Sequence, residues 1–289
     1  MTVAAMRHDF EIQPLTPRLG AEVTGVDLAQ PLDDQAFALI RDAFDRRLVL
    51  VFRDQHLPEP AHIAFSRRFG ALEVHVLNQY LDTRFPELYV ISNVGPDGKP
   101  RGVHPDRGTM VWHTDLSFTR VPSYATILYG VEIATTGGDT MFADMLSAYE
   151  ALPEATKTEI AGLRAVHDLD VSRRKAGDDP LTADQRAKAP PVDHPVVRLH
   201  GPSGRRGLYL GSHASHIEGW PQDKGEALIR QLVAHATEKR FVYRHRWRHG
   251  DLVMWDNRAT LHRATDYDTG NDRRIVRRTV VTGEVPVPG

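Results

Sequence analysis

From residue 88 to its end, the chain is a succession of short β-rich runs broken by clusters of Gly, Pro and Asp, without regular alternation of strand and helix. Leu88 to Ser92, Met110 to Trp112, Tyr124 to Ile133 and Thr140 to Phe142 come first. Val196 to Leu199, Leu208 to Gly211, Phe241 to Trp247, Asp251 to Trp255 and Ile275 to Val281 follow. Runs of this length, rich in β-branched and aromatic residues, suit pleated, half-buried strands. Because βαβ units are missing, the pattern predicts an antiparallel sandwich or jelly roll decorated by helices rather than a doubly wound parallel sheet.

The helices are few and amphipathic. Asp33 is placed to cap a helix through about Arg46, with Phe37, Ile40 and Phe44 on one face, and Leu48 to Phe52 reads as the buried strand after it. A second helix is expected around Ala61 to Phe69, stopped by Gly70, and another around Pro153 to Leu163. Farther on, Asp223 and Glu226 have the spacing of a capping box before Leu228, Ile229, Leu232 and Val233. Arg248-His249-Gly250 reads as a tight link between strands. The stretch Arg173 to Pro191 lacks periodicity and reads as a surface excursion or mobile lid, about residues 168–193, on a single 289-residue domain.

The chain has no cysteine, which removes disulfides, thiolate zinc sites, iron-sulfur clusters and cysteine nucleophiles. Any metal must be held by imidazole and carboxylate. Acids and bases nearly balance, with a net charge of -2 and no basic stripe, so nucleic acid is not an expected partner. The longest apolar stretch, Leu48 to Phe52, falls far short of the roughly 20 residues that span a bilayer, and the N-terminus lacks a leader's apolar core. The expectation is a cytoplasmic protein without a membrane partner.

A facial triad of two histidines and one carboxylate leaves three adjacent metal positions open for cosubstrate and oxygen. On a strand, residues i and i+2 point to one side, so His-x-Asp or His-x-Glu can supply two of the ligands. Three such pairs occur: His104-Pro105-Asp106, His113-Thr114-Asp115 and His216-Ile217-Glu218. The first has Pro at its centre and reads as a surface turn, and the third also looks like a loop. Only His113 and Asp115 are embedded in apolar residues, from Met110 to Phe118, although a buried His satisfied by a neighbouring Asp would look the same. His245 and His249 have the spacing of a helical zinc site but lack its adjacent Glu, and their segment alternates as a strand does.

A third ligand has to come from elsewhere. His262 follows an apolar run ending in Asp256-Asn257-Arg258, which could bring an imidazole to a pocket mouth. Downstream, Arg273-Arg274-Ile275-Val276-Arg277-Arg278 would place Arg274, Val276 and Arg278 on one strand face and Arg273, Ile275 and Arg277 on the other. One row suits bidentate carboxylate recognition; the alternative is a solvated edge strand protected by charge.

Four segments in this order resemble the signature of the taurine and 2,4-dichlorophenoxyacetate dioxygenases, the TauD/TfdA family. They are Trp112-His113-Thr114-Asp115, Gly137-Gly138-Asp139-Thr140, Trp255-Asp256-Asn257-Arg258 with His262, and Arg273 to Arg278. Ser212 to Gly219, Glu238 to Trp247 and Asp251 to Arg258 resemble the phenoxyacetate branch in particular. The resemblance implies a mainly β fold with a double-stranded β-helix (jelly roll, cupin-like) core and flanking α-helices. It implies iron(II), 2-oxoglutarate and O2, with ascorbate as a stimulant. His113, Asp115 and His262 match the iron ligands, Thr140 the hydroxyl donor to 2-oxoglutarate, and Arg274 the clamp on its distal carboxylate. Arg278 matches a group that meets the substrate anion or supports the cosubstrate. His200, His213 and His216 match pocket-lining positions, and Lys99 a basic position.

The implied reaction hydroxylates a small organic acid while 2-oxoglutarate becomes succinate and CO2. An aryloxyalkanoate ether would then be cleaved through a hemiacetal to a phenol or alcohol and an oxo acid. A sulfonate or alkyl sulfate is the alternative substrate. One departure bears on this choice: phenoxyacetate-cleaving members carry a Lys where this chain has Val74 to Gln79, and here there is none. A zinc hydrolase, active without oxygen, and a non-catalytic jelly-roll binding module are the readings from other classes. Assembly is left open, a homo-oligomer included.

Overall fold

A computed structural model of the protein describes residues 10–74 and 84–289. In chain order the first strands and helices are β1 (Glu11–Pro14), β2 (Ala21–Thr24), α1 (Asp34–Arg47), β3 (Val49–Phe52), α2 (Glu59–Arg67), β4 (Tyr89–Ser92), β5 (Ser123–Glu132) and β6 (Thr140–Asp144). Then come α3 (Met145–Glu150), α4 (Glu154–Ile160), β7 (Arg164–His167), α5 (Leu169–Ala176), α6 (Ala183–Lys188), β8 (Val192–Pro195), β9 (Val197–His200), β10 (Arg205–Leu208) and β11 (Ala214–Ile217). The chain closes with α7 (Gln222–Ala236), β12 (Val242–His245), β13 (Leu252–Asp256), β14 (Thr260–Ala264) and β15 (Ile275–Thr282).

The large sheet has the order β1-β2-β3-β13-β5-β15-β4, antiparallel except where β2 runs parallel to β3. The two-residue period decides its packing. Leu50, Phe52, Ile127, Tyr129, Leu252 and Met254 join Ile40, Phe44 and Phe65 of α1 and α2 in one core. The alternate residues Val49, Val51, Leu128, Val253, Trp255 and Val276 pack on the other face with Phe142 of β6 and Leu146 of α3. A sheet covered on both faces reads as an unbroken apolar run, which is why Val49–Phe52 was recognisable as a strand. Opposite it stands the antiparallel sheet β12-β6-β14, with smaller sheets β11-β7-β8 and β10-β9 beside it. The fold is thus mainly β with helices on its outside.

Asp33 caps α1 as expected, accepting from the Ala36 amide, and α2 begins two residues earlier than the sequence suggested. Several other expectations need correction. Met110 to Trp112 is not a strand, because Arg107–Met110 closes a single 3-10 turn capped by Asp106, and His113 makes only an isolated bridge to His262. The strand placed at Leu208 to Gly211 lies earlier, at Arg205–Leu208. Arg173 to Pro191 contains helical structure: α5 is capped by Asp168, and α6 by a Thr182/Gln185 box too short to show periodicity. Asp223 and Glu226 form no capping box, since Pro221 with its fixed φ already sets the start of α7; Glu226 instead faces Lys175 and Arg230. His216 sits on β11 rather than in a loop, and β15 is flanked by both β5 and β4, so its arginines do not guard an edge. Among the described residues no helix is long and apolar enough to cross a membrane.

Candidate metal centre and cosubstrate pocket

His113 and His262 exchange both backbone hydrogen bonds, at 3.0 and 2.8 Å, so the bridge that joins the 111–115 segment to β14 sets their rings side by side, 4.1 Å between centroids. His113 Nδ1 lies 2.8 Å from the Val111 carbonyl, which can only accept, so Nδ1 carries the proton and the Nε2 lone pair is free. Immediately after Asp115 the backbone turns through a left-handed Leu116, φ 55°, a conformation rare outside functional or tightly held sites. The turn swings the Asp115 carboxylate back toward the two imidazoles. His113 Nε2 is 3.8 Å from Oδ1 and His262 Nε2 is 3.6 Å from Oδ2. Neither contact is a hydrogen bond. Together the three side chains offer ligand atoms within 4.8 Å of one another, all three residues being buried.

Asp115 is held by Thr126, which the sequence did not single out, and by Asn257 of the Trp255 to Arg258 motif. Thr126 Oγ1 donates to Oδ2 at 2.6 Å, and Asn257 Nδ2 donates to that same hydroxyl oxygen at 2.9 Å. Asn257 Oδ1 accepts from Trp255 Nε1 and from the Asp115 amide, which fixes which way the amide group points. Burial by itself would raise the Asp115 pKa, but Arg278, with Nη1 3.2 Å from Oδ1, and the Thr126 hydroxyl hold it well below the ordinary carboxylate range. His262 is kept neutral far below its usual value, first by burial and then by His113. An ionised carboxylate beside the neutral imidazole of His262 is the ligand state that a divalent cation requires.

Two cavities meet here. The larger, about 620 Å³ with its opening to solvent, has Leu116, Phe118 and Leu169 as apolar wall and His113, Asp115 and Arg278 at its base. His213 lines it edge-on to His113, with Nδ1 2.8 Å from Ser172 Oγ, and Arg173 of α5 stands among its lining residues. The smaller, about 430 Å³ and likewise counted with its opening to solvent, is lined by His262, Thr140 and Arg274, and Arg278 lines both. The first of these arginines, Arg274, is buried, and its Nε has no hydrogen-bond partner. Gly138, at φ +63°, packs on that guanidinium: a Cβ there would sit 3.2 Å from Arg274 Nε, so the Gly137-Gly138 pair is needed for close approach. Trp247 Nε1 donates to Thr140 Oγ1 at 3.0 Å, which occupies an acceptor lone pair and leaves the hydroxyl proton to donate into the cavity.

The structure therefore assembles His113, Asp115, His262, Thr140, Arg274, Arg278 and His213 around one space, and it places the rest elsewhere. His200 lies buried against Asp256 and Ser203, with Nε2 3.1 Å from Asp256 Oδ2. His216 meets Ser215 Oγ at 2.9 Å, and Lys99 is exposed on the 95–99 turn; none of these three lines either cavity. The Val74 to Gln79 segment lies outside the described residues from position 75 onward. His245 ends β12 and is no part of a helical zinc pair. A divalent ion and a dicarboxylate both fit what is present: three oriented ligand atoms at one end of the small cavity, and at the other a buried guanidinium with an unused donor.

Comparison with known proteins agrees. The profile of the Taurine catabolism dioxygenase TauD, TfdA family matches residues 11–280. An alpha-ketoglutarate-dependent 2,4-dichlorophenoxyacetate dioxygenase of Cupriavidus pinatubonensis is 42% identical over 280 residues, 94% of this chain and 98% of that relative. An alpha-ketoglutarate-dependent sulfate ester dioxygenase of Pseudomonas putida is 35% identical over 288 residues, 96% of this chain and 91% of that one. The solved structure of AAD-2 with Mn(II) and N-oxalylglycine superposes with a TM-score of 0.86 at 37% identity, covering 96% of this chain and 98% of that one. The chain therefore belongs to the TauD/TfdA family, and its enzyme class is that of the non-haem iron dioxygenases that depend on 2-oxoglutarate.

Proposed function

We propose that His113, Asp115 and His262 hold iron(II), that Thr140 and Arg274 bind 2-oxoglutarate, and that the larger cavity admits a small organic acid, an aryloxyalkanoate ether. The observation that carries this reading is the junction of the two cavities at the His113/Asp115/His262 group, with Arg278 facing both. With iron bound, one oxygen atom of O2 ends in succinate, CO2 is lost, and the other oxygen hydroxylates a substrate carbon. If that carbon bears an ether oxygen, the hemiacetal C–O bond breaks, its hydroxyl proton passes to the leaving oxygen, and a phenol or alcohol departs from an oxo acid.

The protein's part is placement and electrostatics. Thr126 and Asn257 lock the carboxylate, the Val111 carbonyl locks His113, and Trp247 aims the Thr140 hydroxyl. Arg274 supplies the buried charge that a distal carboxylate needs. Leu116, Phe118 and Leu169 match an aryl ring and exclude water, while Arg278, His213 and Arg173 provide polar contacts for the acid. The large sheet and β12-β6-β14 supply the two walls of a double-stranded β-helix in this reading.

Succinate release, screened over aryloxyacetates, both aryloxypropionate enantiomers, taurine and alkyl sulfates, tests the substrate class. The expected result is succinate formed in step with free phenol. Succinate formed only with taurine or alkyl sulfates would transfer the same chemistry to a sulfonate or sulfate, and substrate loss without oxygen would overturn it altogether.

A further inference from the structure

A further cavity lies behind the metal centre. It holds about 1040 Å³ with its opening to solvent and is walled by α5, α7, the 110–112 segment and residues 211–214. Val111, Ser172 and Ser212 line both this cavity and the larger one at the metal group, so the two stand back to back. The partition is thin. Ser212 N donates to the Trp112 carbonyl at 2.9 Å, and a Cβ on Gly211 would come within 3.2 Å of His113 Cα, so it consists of two backbone segments in direct contact. Strand alternation turns His262 of β14 to the metal side and Arg263 to this one.

The lining divides by chemistry. Met110, Val111, Trp112, Ile229 and Val233 form an apolar wall, and Lys175, Arg230 and Arg263 are the charged members. Among the described residues no acidic side chain lines this cavity. Lys175 and Arg230 share one carboxylate, that of Glu226, at 3.7 and 3.6 Å. Among the described residues Arg263 has none. Its guanidinium carbon lies 5.4 Å from the Trp112 ring centroid, Nη2 meets only the Met141 sulfur at 3.5 Å, and Nε is buried with no hydrogen-bond partner. Thioether sulfur is a weak acceptor, so the guanidinium keeps its donors for something else. An excess of cations beside an apolar wall selects an anion with an apolar body: carboxylate oxygens accept from the guanidinium fork while the body removes Trp112, Ile229 and Val233 surface from water. An apolar cation would meet three positive charges instead.

We propose that this cavity is a second ligand site, separate from the metal centre, for an amphipathic monocarboxylate, with the headgroup on Arg263 and the aryl or alkyl body along α7.

Calorimetric titration of the full chain with decanoate tests it, with thermal melts to show that each variant is folded. Wild type should take up one equivalent. Arg263→Gln, which removes the charge at the headgroup, should weaken that uptake about tenfold, the scale of one hydrogen bond to a charged group. Ala234 is exposed on the rim, so Ala234→Glu adds an anion there without touching the core and should abolish uptake. Decyltrimethylammonium, with the same chain and the opposite charge, should not bind. Uptake unchanged in either variant would overturn the proposal by placing decanoate elsewhere, the larger cavity included, and so would equal uptake of the ammonium. Dimerisation that Ala234→Glu abolishes, in a protein that takes up no decanoate, would overturn it in favour of a second copy of this chain.

Discussion

Asp115 and Asp256 are both buried carboxylates flanked by an imidazole and a guanidinium, and both are held well below the ordinary carboxylate range against the opposing effect of burial. They differ in how the flanking groups reach them. Around Asp256 the contacts are closed: Arg258 Nη2 lies at 2.6 Å, the Arg258 amide at 2.8 Å and His200 Nε2 at 3.1 Å, each within hydrogen-bond reach. Around Asp115 the guanidinium of Arg278 arrives at 3.2 Å, but the two imidazole nitrogens stop at 3.6 and 3.8 Å, and His113, its Nδ1 proton held by the Val111 carbonyl, presents a lone pair to a carboxylate that also only accepts. One cluster is complete as protein. The other leaves both imidazole nitrogens outside hydrogen-bond reach of the carboxylate. Sequence motifs group both carboxylates in the same family signature, yet geometry closes one within the protein and leaves the imidazoles beside the other short of contact.

The difference can be broken experimentally. Asp256→Asn removes the anion that both Arg258 and His200 contact and leaves Arg258 only Asp45, at 3.4 Å, so chemical denaturation should report a loss of about 3 kcal/mol with an unchanged denaturant slope. A loss below about 1 kcal/mol would mean that the closed network is not the stabilising element. A smaller effect concerns acid. Because the folded pKa of Asp256 is depressed, its stabilising contribution is full above the unfolded value of about 3.9 and is lost as pH falls below it toward the folded pKa. Replacing it by Asn should make the acid limb of the stability curve shallower by up to about 1.4 kcal/mol per pH unit below pH 4. Parallel acid limbs for wild type and variant would contradict the depressed pKa.

Sequence reading reached the parts of the site that local pattern encodes. The apolar setting of His113 and Asp115 marked the pair that meets a second histidine in the fold, and alternation in Arg273 to Arg278 put Arg274, Val276 and Arg278 on one buried face, as they are. It missed what depends on pairing register. Thr126 reaches Asp115 because β5 lies against β13 with Trp255 opposite Thr126, and nothing near Thr126 in the chain announces that. Trp247 meets Thr140 only after β12 pairs with β6. His104 was legible as a turn but its edge contact with Tyr267 was not, since Tyr267 comes from a distant loop. His200 was misplaced toward the pocket because sequence order cannot tell a histidine that faces the metal group from one that closes Asp256.

Anaerobic iron(II) titration of three proteins tests the central assignment most directly. Wild type and Asp256→Asn, measured where the latter is folded, should both bind stoichiometric iron, and Asp115→Ala should bind none. Stoichiometric iron retained by Asp115→Ala, or lost from folded Asp256→Asn, would contradict the division between the two carboxylates.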